Sequence, residues 1–186
     1  MGERSFQEVF GRLQRSPKVQ YLHVATRLNF NKRIEFIGDF LPLEENKAIV
    51  RKFIQSYNER KLDLIDDFVA SNYIDHGKNI GREGLKQLIS MGISAFPNWY
   101  EAVEDIIAEG DKVWVLLTYT GTHRGEFMGL APTGKKITSK AVDIYRVVDG
   151  KLAEYWNVTD NVNIFRQVGA IEITEKGKHL FPQFLL

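Results

Sequence analysis

Six polar side chains, Ser139, Asp143, Tyr145, Tyr155, Asn157 and Thr159, are set among apolar ones along two neighbouring segments late in the chain. Asp143 stands out, because strands are depleted in Asp and a carboxylate is rarely buried without a partner or a task. Desolvation in an apolar pocket raises a carboxyl pKa, which suits a general base that removes a proton alpha to a carbonyl. Asn157 cannot take up a proton near neutral pH, but its amide can polarise or orient a substrate oxygen. His76 ends the run YIDH, and an imidazole suits proton shuttling or polarisation of an oxygen. These three make up the candidate catalytic set. The competing readings are a structural Asp143 bonded to Tyr155 or to backbone, and a His76 that merely caps a turn.

Tyr57, Tyr73, Trp99, Tyr145 and Tyr155 could line a cavity for a flat or apolar ligand. Each taken alone also reads as core packing. His123, in GTHRGEF, borders the loop 125–135 and joins the substrate-binding candidates, with a structural role as its alternative. His23, His76, His123 and His179 are scattered without ligand spacing, so no metal is expected. There is no Gly-rich phosphate loop, nucleophile elbow or dinucleotide fingerprint, and no organic cofactor is expected.

The elements that must position these groups begin with a hairpin. Val148-Asp149-Gly150 suits a three-residue loop, a type I turn followed by a left-handed glycine bulge. That register sets Asp143 opposite Tyr155 and Ala141 opposite Asn157. Strand alternation then puts Asp143, Tyr155 and Asn157 on one side and Val142, Ile144, Trp156 and Val158 on the other. A two-residue Asp-Gly turn would instead place Asp143 beside Trp156.

Upstream, Ile49, Val50, Phe53, Ile54 and Tyr57 form an apolar stripe on a helix ending near Asn58. A short helix over Asp63–Val69, an extended SNYIDHG, and a helix from about Gly84 to Phe96 stopped by Pro97 come next. Residues 99–108 and KVWVLLTYTGTH read as strands, turned at Gly110-Asp111. A last helix covers Val162–Val168. Helices first and a meandering sheet after them predict an α+β fold, with helices packed on one face of a curved antiparallel sheet.

Residues 1–43 carry a basic excess, seven Lys/Arg to four Asp/Glu, and form an N-terminal extension, helical or partly ordered. Phe6, Val9, Phe10 and Leu13 fall at helical spacing within it. The main domain spans 44–170, and 171–186 is a tail without motif. A chain of 186 residues is long enough for a substantial core. Its net charge of +1, without a basic run interleaved with aromatics, argues against nucleic acid as a partner. The absence of cysteine excludes disulfides, thiolate metal sites and a cysteine nucleophile. With no membrane-length apolar run and no signal-like start, a cytoplasmic protein with no membrane partner is expected.

The runs YIDHG, GREGLKQLI, AFPNW, EDIIAEGDKVWV, GTHRGEFMGLAPTGKKI, DIYRVVDGKLAEYWNV and QVGA, in that order, resemble the SnoaL-like polyketide cyclases. These are also called ester cyclases and sit within the NTF2-like superfamily. The resemblance covers about Glu44 to Ala170. It implies a cone-shaped α+β barrel, a pocket between helices and the concave sheet face, and a homodimer built on the outer sheet face. It also implies intramolecular aldol chemistry without metal or cofactor. In that family an Asp in a Trp-Asp pair on the last strand acts as acid/base, assisted by histidines. Here the pair is Trp156-Asn157, and the nearest family histidine falls at Asp143.

Three functions therefore stand side by side. The first is a cofactor-independent cyclase, isomerase or lyase acting on a small apolar or aromatic carbonyl compound. The second is a non-catalytic ligand-binding or scaffold protein, favoured by the amide at 157. The third is a hydroxylase or epoxide hydrolase. A hydrolase of that kind needs two pocket carboxylates, and the sequence offers only Asp143 clearly.

Overall fold

Alternating apolar residues and Gly-marked turns give five strands in the order β1-β5-β4-β3-β2: β1 Val69–Asp75, β2 Tyr100–Glu109, β3 Lys112–Thr122, β4 Lys136–Val148 and β5 Lys151–Thr159. The computed structural model describes residues 30–180, with side chains from residue 41 onward. The helix expected at Phe6, Val9, Phe10 and Leu13 lies outside the described residues. The chain divides into two units, Met1–Pro42 and Leu43–Leu186. The second holds the sheet and its core.

Helix α1 is Phe30–Asn58, with Pro42 inside it. A 3₁₀ turn (Leu62–Leu64) and one turn of helix, α2 (Ile65–Phe68), lead into β1. Helix α3 (Arg82–Ala95) stops where Pro97 would deny it a backbone donor. Helix α4 (Asn161–Val168) is capped by Asp160, whose side chain accepts from the Asn163 amide, and ends at left-handed Gly169. A last turn, α5, is Glu175–Lys178.

The inward residues of β3, Val113, Val115, Leu117 and Tyr119, are buried. They pack with Val50, Phe53 and Ile54 of α1 and with Leu85 and Ile89 of α3. Ala95, Phe96, Ile137, Ile164 and Val168 form a second cluster beneath α4. The fold is α+β, as expected. The sheet is not wholly antiparallel, however: β1 pairs parallel with β5. The long passage through α3 and the meander returns β5 alongside β1 in the same direction, which is the connection that parallel pairing demands.

The hairpin register also differs from expectation. Val148 pairs with Lys151, and Asp149 (φ 50°) and Gly150 (φ 74°) make a two-residue turn whose twist matches that of the strands. A shift between Arg146 and Val147 leaves Ala153 as an extra residue, so Leu152 and Ala153 are both buried. The bulge restores alternation one step on. Asp143 thus pairs directly with Asn157, Tyr145 with Tyr155 and Ala141 with Thr159. The shared face is as expected; the individual pairs are not. Among the described residues the sheet's edge strands are β1 and β2, and β2 has its own bulge at Glu104.

Candidate functional site

Between the helices and the inner sheet face lies a cavity of about 880 Å³, within the size range of small-molecule sites. Its wall is largely aromatic and includes Tyr57, Tyr73, Trp99, Tyr119, Tyr145 and Tyr155. Five of these come from the sequence-derived substrate set; Tyr119 is new. It follows from the same alternation as Leu117, two positions before it in β3.

Asp143 lies on the cavity lining and is 2% exposed. Its Oδ1 accepts from the Tyr119 hydroxyl at 2.9 Å and from Asn157 Nδ2 at 2.5 Å. Its Oδ2 accepts from the Tyr145 hydroxyl at 3.0 Å. Thr159 Oγ1 donates to Asn157 Oδ1 at 2.6 Å, which turns the amide donor toward the carboxylate. Burial pushes the Asp143 carboxyl above its ordinary value, against the opposing pull of these hydrogen bonds. Desolvation first, then nearby carboxylate charge, holds the phenols of Tyr73, Tyr119, Tyr145 and Tyr155 well above theirs. They remain O–H donors at any physiological pH.

Glu101 is the second carboxylate of the cavity, and sequence reading missed it. The signal was alternation: with Trp99 turned inward, Glu101 two positions later shares its side. Trp99 Nε1 donates to Glu101 Oε1 at 3.1 Å. Burial, then the charge of Asp143, raises Glu101 to about 8. Asp75 also lines the cavity, but it is committed locally. Its Oδ1 accepts from the amides of Gly77 (2.8 Å) and Lys78 (3.0 Å), an Asx-type turn.

The structure does not bring His76 or His123 to the cavity. Tyr73 and Asp75 of β1 face inward, whereas His76, just past the strand's end, faces out. It stacks flat on Trp156 (4.5 Å, 8°), and its Nε2 lies 2.7 Å from Glu154 Oε2. His123 is fully buried, stacked on Phe96, and its Nδ1 lies 3.1 Å from Thr133 Oγ1. It ties the two ends of the loop that follows β3. Among the described residues, no group of three or more His, Cys, Asp or Glu could hold a metal, and no helix is long and apolar enough to cross a membrane.

That loop supplies Glu126, Phe127 and Met128 to the cavity. Its seat is Gly125, where an added Cβ would lie 2.1 Å from the Ser94 carbonyl oxygen. Gly125→Ala should therefore cost about 1–3 kcal/mol through forced backbone movement. Chemical denaturation checks this, and an unchanged midpoint would contradict the close approach.

The family profile of the SnoaL-like polyketide cyclases matches residues 47–168, the stretch that builds the cavity. The chain belongs to that family. Among SnoaL-like relatives, the aklanonic acid methyl ester cyclase DauD of Streptomyces sp. (strain C5) is 28% identical over 138 residues, 69% of this chain and 84% of that protein. The nogalonic acid methyl ester cyclase of Streptomyces nogalater is 27% identical over 124 residues, 62% of this chain and 91% of that one. Among solved structures, AclR of Streptomyces galilaeus, a candidate hydroxylase, matches with a TM-score of 0.65 and 30% identity, covering 70% of this chain and 99% of AclR. The fold is accordingly the NTF2-like one of the SnoaL-like cyclases.

Proposed function

We propose that this protein is a cofactor-independent cyclase, with Asp143 as the general base acting on a carbonyl compound bound in the aromatic cavity. The observation that carries the reading is a carboxylate with raised proton affinity set in the wall of that cavity. A carboxylate offers about four acceptor sites, and three are taken by Tyr119, Tyr145 and Asn157. Tyr155 also hydrogen-bonds the carboxylate, so a substrate proton is taken as one of these donors turns away. As Asp143 takes it, negative charge passes to the enolate oxygen. Donors that had faced the carboxylate are then free to stabilise that oxygen. Asn157 orients the base rather than replacing it.

The substrate class follows from the wall: flat and apolar, of the aromatic polyketide kind named for the relatives. The expected homodimer would use the outer sheet face, where Ile107, Trp114, Leu116 and Val158 are exposed.

The test is incubation with aklanonic acid methyl ester, and separately nogalonic acid methyl ester, in D₂O buffer with chelator. Ring-closed product carrying deuterium at the exchanged carbon is expected. If both esters bind, by thermal shift, yet neither closes nor exchanges, the protein is a binding member of the family. The saturated hydrogen bonding around Asp143 favours that second reading.

A further inference from the structure

Ring closure by an aldol route needs two proton movements, and Asp143 accounts for one. A proton leaves carbon at the start, and a proton must reach the second carbonyl oxygen as the new carbon–carbon bond forms. His76, expected with Asn157 to steady the enolate oxygen, is not on the cavity lining and is not placed to supply the second proton. Among the described residues, no histidine lines the cavity wall.

Glu101 is built for a fixed position. Asn58 clamps its backbone from both sides: Nδ2 donates to the Glu101 carbonyl and Oδ1 accepts from the Glu101 amide, each at 2.9 Å. Arg60 donates through Nη2 to the carbonyls of Trp99 at 2.7 Å and Pro97 at 2.9 Å. Arg60 does so from a left-handed backbone conformation, φ 62°, which a non-glycine residue adopts only where its surroundings enforce it. Trp99 then fixes the side chain through Oε1. A surface glutamate on an edge strand would need none of this.

We propose that Glu101 is the general acid of the cavity, delivering its proton to the electrophilic carbonyl oxygen while Asp143 removes the proton alpha to the other carbonyl. This rests on the reading of Asp143 as base. The substrate is thereby specified further, as a single molecule with an acidic C–H beside one carbonyl and a second carbonyl within ring-closing reach.

The electron count closes without a co-reactant. The C–H pair becomes the enolate π bond as Asp143 gains the proton. That π pair forms the new C–C bond, the carbonyl π pair moves to oxygen, and this oxygen takes the proton from Glu101. The product is a β-hydroxy carbonyl ring. Transfer of the proton from Asp143 back to Glu101 through solvent resets the pair.

Hydrogen-bond supply decides which carboxyl starts with the proton. Asn157, Tyr119, Tyr145 and Tyr155 all stabilise ionised Asp143, while among the described residues Trp99 is the side-chain donor to Glu101. The ionisable groups acting on Glu101 are Asp143 of β4, which raises its proton affinity, and Arg60, which lowers it. Tyr57 of α1, Tyr119 of β3, Tyr145 of β4 and Tyr155 of β5 also feel its charge. All four phenols stay neutral, which leaves Asp143 and Glu101 as a pair whose titrations are coupled.

Two measurements test this. Carboxyl-carbon NMR of Glu-labelled protein, assigned by the signal lost in Glu101→Gln, is expected to show Glu101 neutral at about pH 7, with its midpoint lowered in Asp143→Asn. An ionised Glu101 at that pH overturns the proposal, with no substrate needed. In D₂O with aklanonic acid methyl ester, Glu101→Gln is expected to keep C–H exchange near the wild-type rate while ring closure falls at least about 10²-fold. Ring closure at the wild-type rate in that variant sinks the acid role and leaves Asp143 untouched. Wild-type exchange in Asp143→Asn sinks the base instead.

Discussion

Asp143→Asn is expected to lose about 10²–10⁴-fold in turnover and to gain stability at the same time. The loss follows because an amide cannot take the substrate proton, while its size keeps the cavity wall in place. The gain follows from the direction of the Asp143 shift. Its carboxyl is raised in the folded state, chiefly by burial. Below the unfolded value of about 3.9, both states are protonated and the group costs nothing. As pH rises through that value, the unfolded chain ionises more readily than the folded one, and stability falls until the folded carboxyl also ionises. The variant has no such group. Its melting temperature should therefore exceed that of the wild type at about pH 8, and the difference should vanish near about pH 4. A pH-independent difference would mean that Asp143 is not desolvated. Full turnover in the variant would remove it from the chemistry.

Asn157→Asp sets a second carboxylate opposite Asp143 and is expected to be harmful. Asn157 Nδ2 donates to Asp143 Oδ1 at 2.5 Å. A carboxylate in its place would meet Asp143 directly, and two carboxylates that close cannot both ionise. The pair would share a proton, with the second ionisation pushed upward. Raised folded values again mean that stability is retained in acid and lost as pH increases. Near about pH 5 the variant should unfold close to the wild-type midpoint, held by one shared proton. At about pH 8 it should be weaker by about 3 kcal/mol, corresponding to roughly two units of elevation. Urea titrations at the two pH values separate this from simple misfit, which would weaken the protein equally at both. Turnover, where it survives, should shift its pH optimum upward.

The contrast between the two variants shows what the amide at 157 does. With Asp143 carrying the charge, a neutral donor opposite it is the compatible partner. The cavity's carboxylate stands across the hairpin from a neutral amide.

How much of this could be read from the chain depends on the kind of information each feature carries. The inner face of β3 is legible from KVWVLLTYTGT, because strict alternation has one physical solution. The aromatic wall is legible for the same reason. The hairpin pairing is not, because an Asp-Gly pair supports both two- and three-residue loops. The bulge at Ala153 depends on Leu152 and Ala153 both finding room in the core, a tertiary fact that local propensity does not hold. The place of His76 is not legible, because it lies just past the end of β1, where the chain turns and the strand's alternation no longer fixes a side. Glu101 was overlooked because an acidic residue in YEAVEDIIAE resembles its exposed neighbours Glu104 and Asp105. Beyond its alternation with Trp99, the clamp from Asn58 and Arg60, 43 and 39 residues away from their contacts at Glu101 and Trp99, sets it apart.

The two rims of the sheet bear on how copies of this protein meet. An open strand edge invites addition of a strand from another chain, the route to aggregation. At one rim, β2 turns Glu104, Asp105 and Glu109 to solvent and breaks its own ladder at the Glu104 bulge. At the other, β1 is short and irregular in register against β5. A like strand approaching β2 would bring acidic side chains together across a kinked edge. The apolar Trp114 and Leu116 lie instead on the broad outer face. Among the described residues, charge thus marks the rim and apolar exposure the face, a distribution that disfavours strand-by-strand fibre growth.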